Sequence, residues 1–184
     1  MGTFARDDSV ANETVAADAA LDAWLADRYL DRESTRAELE ELVGELATRP
    51  DLWRGHVRHS PLERIYVRLH LDDHLELWLI CWSQRQDTGF HDHDGSRGAV
   101  AVVGGALAER RLAAGCAQPP TAIYPAGAAF SFGATHIHDV SQTGAMPATS
   151  LHVYSPPLGE MGFYEVAPDG ALSRRTGDYR EEFC

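Results

Sequence analysis

From about residue 62 onward the chain is cut into short runs rich in Val, Ile, Leu and aromatic residues, separated at near-regular intervals by Gly, Pro and Asp clusters. This punctuation constrains the fold more than any other feature, because runs of that length and spacing make strands joined by turns. Strands are expected near 63–71, 75–83, 98–104, 106–112, 121–124, 128–133, 135–141, 149–154 and 161–166. DDHLE at 72–76 reads as a hairpin connection, and Gly104–Gly105 as a tight turn needing positive φ. No helical pattern separates the strands, which argues against βαβ folds and leaves an all-β sandwich or barrel.

The first fifty residues have a different period. Leu21, Trp24, Leu25 and Tyr29 recur at helical spacing. Thr35 and Glu38 form an S/T-x-x-E capping box ahead of a second amphipathic helix, whose apolar stripe is Leu39, Leu42, Val43 and Leu46 and which Pro50 closes. Trp53 belongs to one more short turn. The expectation for 184 residues is one domain: a helical part at about 14–55, a β-barrel at about 62–167, and a polar, loosely held tail at 168–184.

Charge and composition narrow the partners. The formal net charge of -12 opposes binding to nucleic acid or an anionic membrane. No apolar run approaches the roughly 18–20 residues that span a bilayer, and the N-terminus lacks the basic start and apolar core of a secretory signal. Cys81, Cys116 and Cys184 are widely spaced with no C-x-x-C, which suits a reducing cytoplasm, with Cys81 a small buried apolar residue. A cytoplasmic monomer acting on a small molecule is the expectation.

The histidines carry most of the functional information. FHDHDGSRG at 90–98 and THIHDV at 135–140 each contain H-x-H. Residues i and i+2 of a strand share a face, so His91 with His93, and His136 with His138, each aim two imidazoles into one space. A barrel brings distant strands together, so three or four nitrogens can converge on one metal. Imidazole suits iron, zinc, copper and nickel alike, and the spacing does not choose among them. The competing reading of each pair is a polar strand edge or loop-bonded histidines. His56, His59 and His74 have no partner at useful spacing and read as ordinary surface residues.

Two further stretches alternate. TSLHVYSPP at 149–157 puts Ser150, His152 and Tyr154 on one face, where they can form a hydrogen-bonded row, with Leu151 and Val153 on the other. ERIYVRLHL at 63–71 sets Tyr66, Arg68 and His70 opposite Ile65, Val67 and Leu69. An inward arginine is costly unless it binds a carboxylate; from this strand alone, an outward, solvated Arg68 is favoured.

Taken together, the Y-x-R of IYVRL, CW at 81–82, HDH, the Gly-rich strand start, H-D-V and SLHVYSPP resemble the cysteine dioxygenase family of cupin-fold thiol dioxygenases. The resemblance runs from about Tyr66 to Pro157, and SLHVYSPP is its most specific segment. It implies a mainly β cupin barrel, a double-stranded β-helix or jelly roll, preceded by helices. It further implies Fe(II) held by His91, His93 and His138, with His136 a pocket residue. Arg68 would hold the carboxylate of L-cysteine, with Tyr66 on the same wall, and Ser150, His152 and Tyr154 would form the catalytic hydrogen-bond row. The implied activity adds both atoms of O2 to the cysteine sulfur to give cysteine sulfinic acid. Animal members carry a cysteine at the place of Gly98, crosslinked to the tyrosine matching Tyr154; Gly98 makes that bond impossible, as in bacterial members. Relatives acting on 3-mercaptopropionate tend to have glutamine where this chain has Arg68. The alternatives are a dioxygenase of another small thiol, a non-catalytic metal-binding cupin, and a sugar isomerase or epimerase.

Many cupins also place a glutamate four or five positions after this H-x-H as a fourth ligand. Here Arg97 and Gly98 stand there. A neutral three-histidine face results, to which the substrate thiolate can bring the missing charge.

Overall fold

Seven-residue runs such as ELWLICW have no polar side, and strands of this kind must be covered on both faces. The computed structural model covers them so; it describes residues 13–15, 19–28, 32–112, 119–167 and 171–178. The elements in order are β1 (Glu13–Val15), α1 (Ala19–Ala26), α2 (Arg36–Ala47), two short 3-10 turns (Pro50–Leu52 and Arg54–His56), β2 (Ile65–Leu71), β3 (Glu76–Trp82), β4 (Phe90–Asp92), β5 (Arg97–Gly104), β6 (Ala106–Arg111), β7 (Thr121–Pro125), β8 (Ala129–Phe132), β9 (His138–Gln142), β10 (Ala148–Ser155), β11 (Glu160–Val166) and β12 (Leu172–Asp178). They make two six-stranded sheets, ordered β1-β2-β3-β10-β5-β8 and β12-β11-β4-β9-β6-β7. This is the double-stranded β-helix of the cupin barrel, with helices ahead of it. No helix among the described residues is long and apolar enough to cross a membrane.

The first sheet divides two cores. Val67, Leu77, Leu79, Cys81, Ala99, Ala101, Leu151 and Val153 face the helices and meet Leu21, Leu25, Leu39, Val43 and Leu46. Alternate residues of the same strands, Tyr66, Trp78, Ile80, Trp82, Val100, Val102 and Tyr154, face the barrel interior with Leu107, Phe130, Phe132 and Val140 of other strands. Burying a leucine or valine side chain contributes on the order of 1.5–3 kcal/mol, so a slip of one residue, which would exchange the two faces, is strongly opposed. The helix that covers this sheet starts as its sequence requires. Glu38 N–H donates to the Thr35 hydroxyl, and Thr35 N–H donates to the Glu38 carboxylate at 2.7 Å. Trp53 lies buried between the two 3-10 turns and donates its indole N–H to the Leu46 carbonyl at 3.0 Å.

Three strands depart from expectation. β1 lies where a helical pattern was expected and pairs in parallel with β2, so an open strand edge outweighed local propensity over three residues. β12 lies in the segment expected to be a loose tail and pairs with β11 along its whole length. Its sequence, LSRRTGD, lacks apolar alternation because polar contacts hold it: Arg174 bonds Asp92, Tyr164 and Thr176. β4 is only three residues long and is held between β9 and β11. Strand β9 begins at His138, so His136 precedes it. Tyr29, Cys116 and Cys184 lie outside the described residues.

Gly104–Gly105 turns β5 into β6 with Gly105 at φ 65°. A Cβ there would collide with the Pro147 carbonyl and stand 2.8 Å from the Ala148 Cα. Gly144 also has positive φ (83°) but opens onto free space. Gly105→Ala should therefore lose more than ~2 kcal/mol and Gly144→Ala only ~1–2 kcal/mol, the strain of left-handed backbone alone. Urea midpoints of the two variants measure this, and equal losses would contradict the packing argument.

Candidate metal centre

β4 and β9 run antiparallel with His91 directly opposite His138. His93 lies two residues on from His91, and the period of two turns it to the same side. The three rings gather with centroids 4.8 Å (His91–His93), 4.7 Å (His91–His138) and 5.1 Å (His93–His138) apart. All are buried, and one nitrogen from each lies within 4.8 Å of the others.

The remaining hydrogen bonds say which nitrogens face the centre. His91 Nδ1–H donates to the Gly89 carbonyl at 3.1 Å, leaving Nε2 as its free lone pair. His138 Nδ1–H donates to Glu109 at 2.9 Å, again leaving Nε2. Both ring nitrogens of His93 are buried without a hydrogen-bond partner. Burying an unpaired polar atom costs on the order of 1–3 kcal/mol, a cost that a metal ligand does not carry once the ion is bound. Burial, then the neighbouring imidazoles, push the His93 pKa well below its usual value; burial likewise brings His138 down to about 3, against the Glu109 contact, which raises it. Both are therefore neutral donors near pH 7. His91, His93 and His138 fit a divalent metal of the imidazole-binding class. His136 is not part of this group. Its Nε2 donates to Glu109 at 2.9 Å, and its ring stacks on Phe132.

The residues between and beside the three histidines fix the backbone from the outer side. Asp92 accepts from Tyr164, Arg174 and the backbone N–H groups of Asp94 and Gly162. Burial would raise its carboxyl, but these bonds prevail and bring it down to about 2. Asp139 pairs with Arg110 and lies within reach of the Thr88 hydroxyl.

The Ser150–His152–Tyr154 row stands on the interior face of β10. The Trp82 indole N–H donates to Ser150 Oγ at 2.9 Å; Ser150 Oγ lies 2.8 Å from His152 Nε2, and His152 Nδ1 lies 3.2 Å from the Tyr154 hydroxyl. Ser150 is fully buried and accepts from Trp82, and a proton donated to His152 Nε2 would leave neither group unpaired. Burial lowers the His152 pKa to about 3, so the ring is neutral. In the tautomer that accepts from Ser150, the Nδ1–H donates to the Tyr154 oxygen, which frees the tyrosine O–H to donate in turn.

Arg68 faces inward, against the reading of its strand alone. It sits opposite Trp78, which sits opposite His152 on the far side of β3, so the three share one cross-strand row. Its guanidinium lies 5.5 Å from the Trp78 ring and 3.8 Å from the carboxylate of Glu76, itself 1% exposed. Glu76 also accepts from the Leu158 N–H at 2.9 Å. The carboxylate that makes an inward arginine tolerable thus comes from the next strand, which β2 alone could not reveal. Tyr66 is buried on the same face. His70 is drawn aside by an irregularity after Arg68 and contacts Asp22 and Asp72.

Glu109 was not singled out in the sequence. It is 1% exposed, and its Oε1 accepts from both His136 and His138, while Oε2 accepts from Arg111 at 2.8 Å and lies 3.3 Å from the Tyr124 hydroxyl. Burial alone would raise its carboxyl; the bonds from His136, His138 and Arg111 hold it well below the usual range. The available signal was the alternation in ALAERR, which puts Glu109 on the same face as buried Leu107.

Gly98 sits in one cross-strand row between Tyr154 and Phe132. A Cβ at 98 would strike the Phe132 ring and come within 3.1 Å of Tyr154 Cδ1. The same phenyl ring stacks on His93, centroids 4.7 Å apart at 21°.

No curated protein matches the chain significantly. Among solved structures, a protein from Thermus thermophilus is 21% identical over 56% of this chain and 92% of its own, with a TM-score of 0.49. An uncharacterized conserved protein with a double-stranded β-helix domain from Klebsiella pneumoniae is 15% identical over 66% of this chain and 91% of its own, with a TM-score of 0.49. A cupin superfamily protein from Desulfitobacterium hafniense is 10% identical over 56% of this chain and 86% of its own, with a TM-score of 0.48. The sequence pattern of cysteine dioxygenase type I matches residues 10–166, nearly all of the barrel and the helices before it, and the chain belongs to that family.

Proposed function

We propose that this protein is a non-haem Fe(II) dioxygenase that converts L-cysteine and O2 to cysteine sulfinic acid. Family membership supports a thiol dioxygenase type of activity; the finer reading rests on the inward Arg68, charged and aligned with the Ser150–His152–Tyr154 row. The reaction balances without an outside reductant, since the sulfur supplies every electron that dioxygen takes up. Fe(II), when held by His91, His93 and His138, would supply the open positions and the electron transfer through which thiolate and oxygen meet.

This chain's own residues do the rest. Three neutral imidazoles bring no negative charge, which favours an anionic thiolate as the partner. Arg68 presents a planar fork suited to a carboxylate and so orients the amino acid. Glu76 holds that guanidinium, and Trp78 backs it. The tyrosine O–H of Tyr154, aimed by His152 and Ser150, donates a hydrogen bond to the substrate carboxylate or the incoming oxygen. Tyr66 closes the wall beside Arg68.

The direct test is anaerobic reconstitution with Fe(II), then oxygen uptake with L-cysteine and mass spectrometry of the product. A gain of two oxygen atoms per cysteine is expected, lost on chelation and not restored by Zn(II). Turnover of another thiol but not of L-cysteine would move the assignment to that thiol, and no uptake with any thiol would end it.

Arg68→Gln removes a charge-assisted contact of about 1.5–3 kcal/mol, so kcat/KM for L-cysteine should fall about 10–150-fold. Oxidation of cysteamine, which has no carboxylate, should change little. Equal losses for both thiols would show that Arg68 does not read the carboxylate.

A further inference from the structure

We infer that Glu109 is a positioning residue for the metal centre: it fixes the His138 tautomer and ring, and so supplies from behind the carboxylate that the loop after His93 lacks. This rests on the Fe(II) reading above. The first observation is distance and direction. Glu109 comes from β6, pairs across the sheet with Val140, and reaches past it to His138 Nδ1 at 2.9 Å. A carboxylate accepts only, so the proton of His138 sits on Nδ1 and the Nε2 lone pair faces His91 and His93. The second is that the carboxylate is itself immobilised. His136 binds the same oxygen, and Arg111 and Tyr124 engage the other. The third is the contrast among the three rings. His91 is anchored by the Gly89 carbonyl and His93 by its stack on Phe132, so only His138 has an ionised anchor. Such an anchor raises the basicity of the imidazole as well as aiming it.

Glu109, His136 and His138 also lie within ligand distance of one another, which offers the cluster a second use as a metal site of its own. Arg111 decides against it: a guanidinium at 2.8 Å from Oε2 already balances the carboxylate and would oppose a cation there.

The test uses the full chain and Ni(II) alone, whose affinity for imidazole sites keeps weakened variants measurable. Binding is followed by calorimetry and by the ligand-field spectrum. Glu109→Gln should weaken Ni(II) binding about 10–100-fold and shift the spectrum, as the loss of such a partner usually does. In a His138→Ala background the same substitution should have no further effect on affinity, because the action runs through that ring. A merely structural Glu109 would weaken binding equally in both backgrounds, and this result would overturn the inference. So would a folded Glu109→Gln whose affinity stays within about threefold of wild type, well short of the loss expected for such a partner. If Glu109→Gln does not fold, Glu109→Asp replaces it. Asp keeps the charge and withdraws the oxygen from His138, and the same loss and the same background dependence are expected. Failure of the underlying reading looks different: if the three histidines form no metal site, wild-type affinity is unchanged by His91→Ala, and if the metal is not Fe(II), reconstitution gives no oxygen uptake while the Glu109 effect on Ni(II) binding persists.

Discussion

Both faces of the β2-β3-β10-β5 sheet are buried, and nearly everything about the site follows from that. Helices cover one side and the second sheet covers the other, so each residue on these strands is committed to one of two interiors. On β10, Leu151 and Val153 take the helix side, and their burial forces Ser150, His152 and Tyr154 into the barrel. The polar row is therefore held in register by apolar contacts on the reverse face of its own strand. The same holds for Arg68, set between Val67 and Leu69, both buried against the helices.

Polar groups brought inside in this way need partners, and the pairings define the chemistry. Arg68 has Glu76 and Trp78; Ser150 has Trp82 and His152; His138 has Glu109, which has Arg111. His93 is an exception among the described residues, with neither of its buried ring nitrogens in a hydrogen bond. A protein interior tolerates such an atom where another interaction, here coordination, takes the place of the bond. Glu76 and Glu109 are both buried carboxylates, and each stands behind a working side chain rather than among the three imidazoles.

Much of this was legible in the chain itself. Alternation located most strands, the capping box fixed the start of α2, and H-x-H with S-x-H-x-Y pointed to the site. What escaped depended on partners distant in sequence. β1 and β12 exist because strand edges were available to pair with, and LSRRTGD has no apolar pattern to announce it. Alternation alone left open the direction of Arg68 and the choice between His136 and His138, which only the family resemblance supplied; in the structure they turn on Glu76, which stands on another strand, and on which residue lies opposite His91. Glu109 was hidden because one acidic residue in an alternating run reads as the solvent side until its neighbours are seen to be buried.

The packing around Gly98 bears on how the family's two forms are related. The animal form has a cysteine at this place, bonded to the tyrosine. Here the phenyl ring of Phe132 occupies the volume into which any side chain at 98 would project, while also backing His93. A side chain at 98 would therefore have to displace the Phe132 ring, and with it the face against which His93 is stacked. In this barrel a thioether to Tyr154 would cost the histidine its support, so the glycine keeps the ring in place as much as it leaves the tyrosine free.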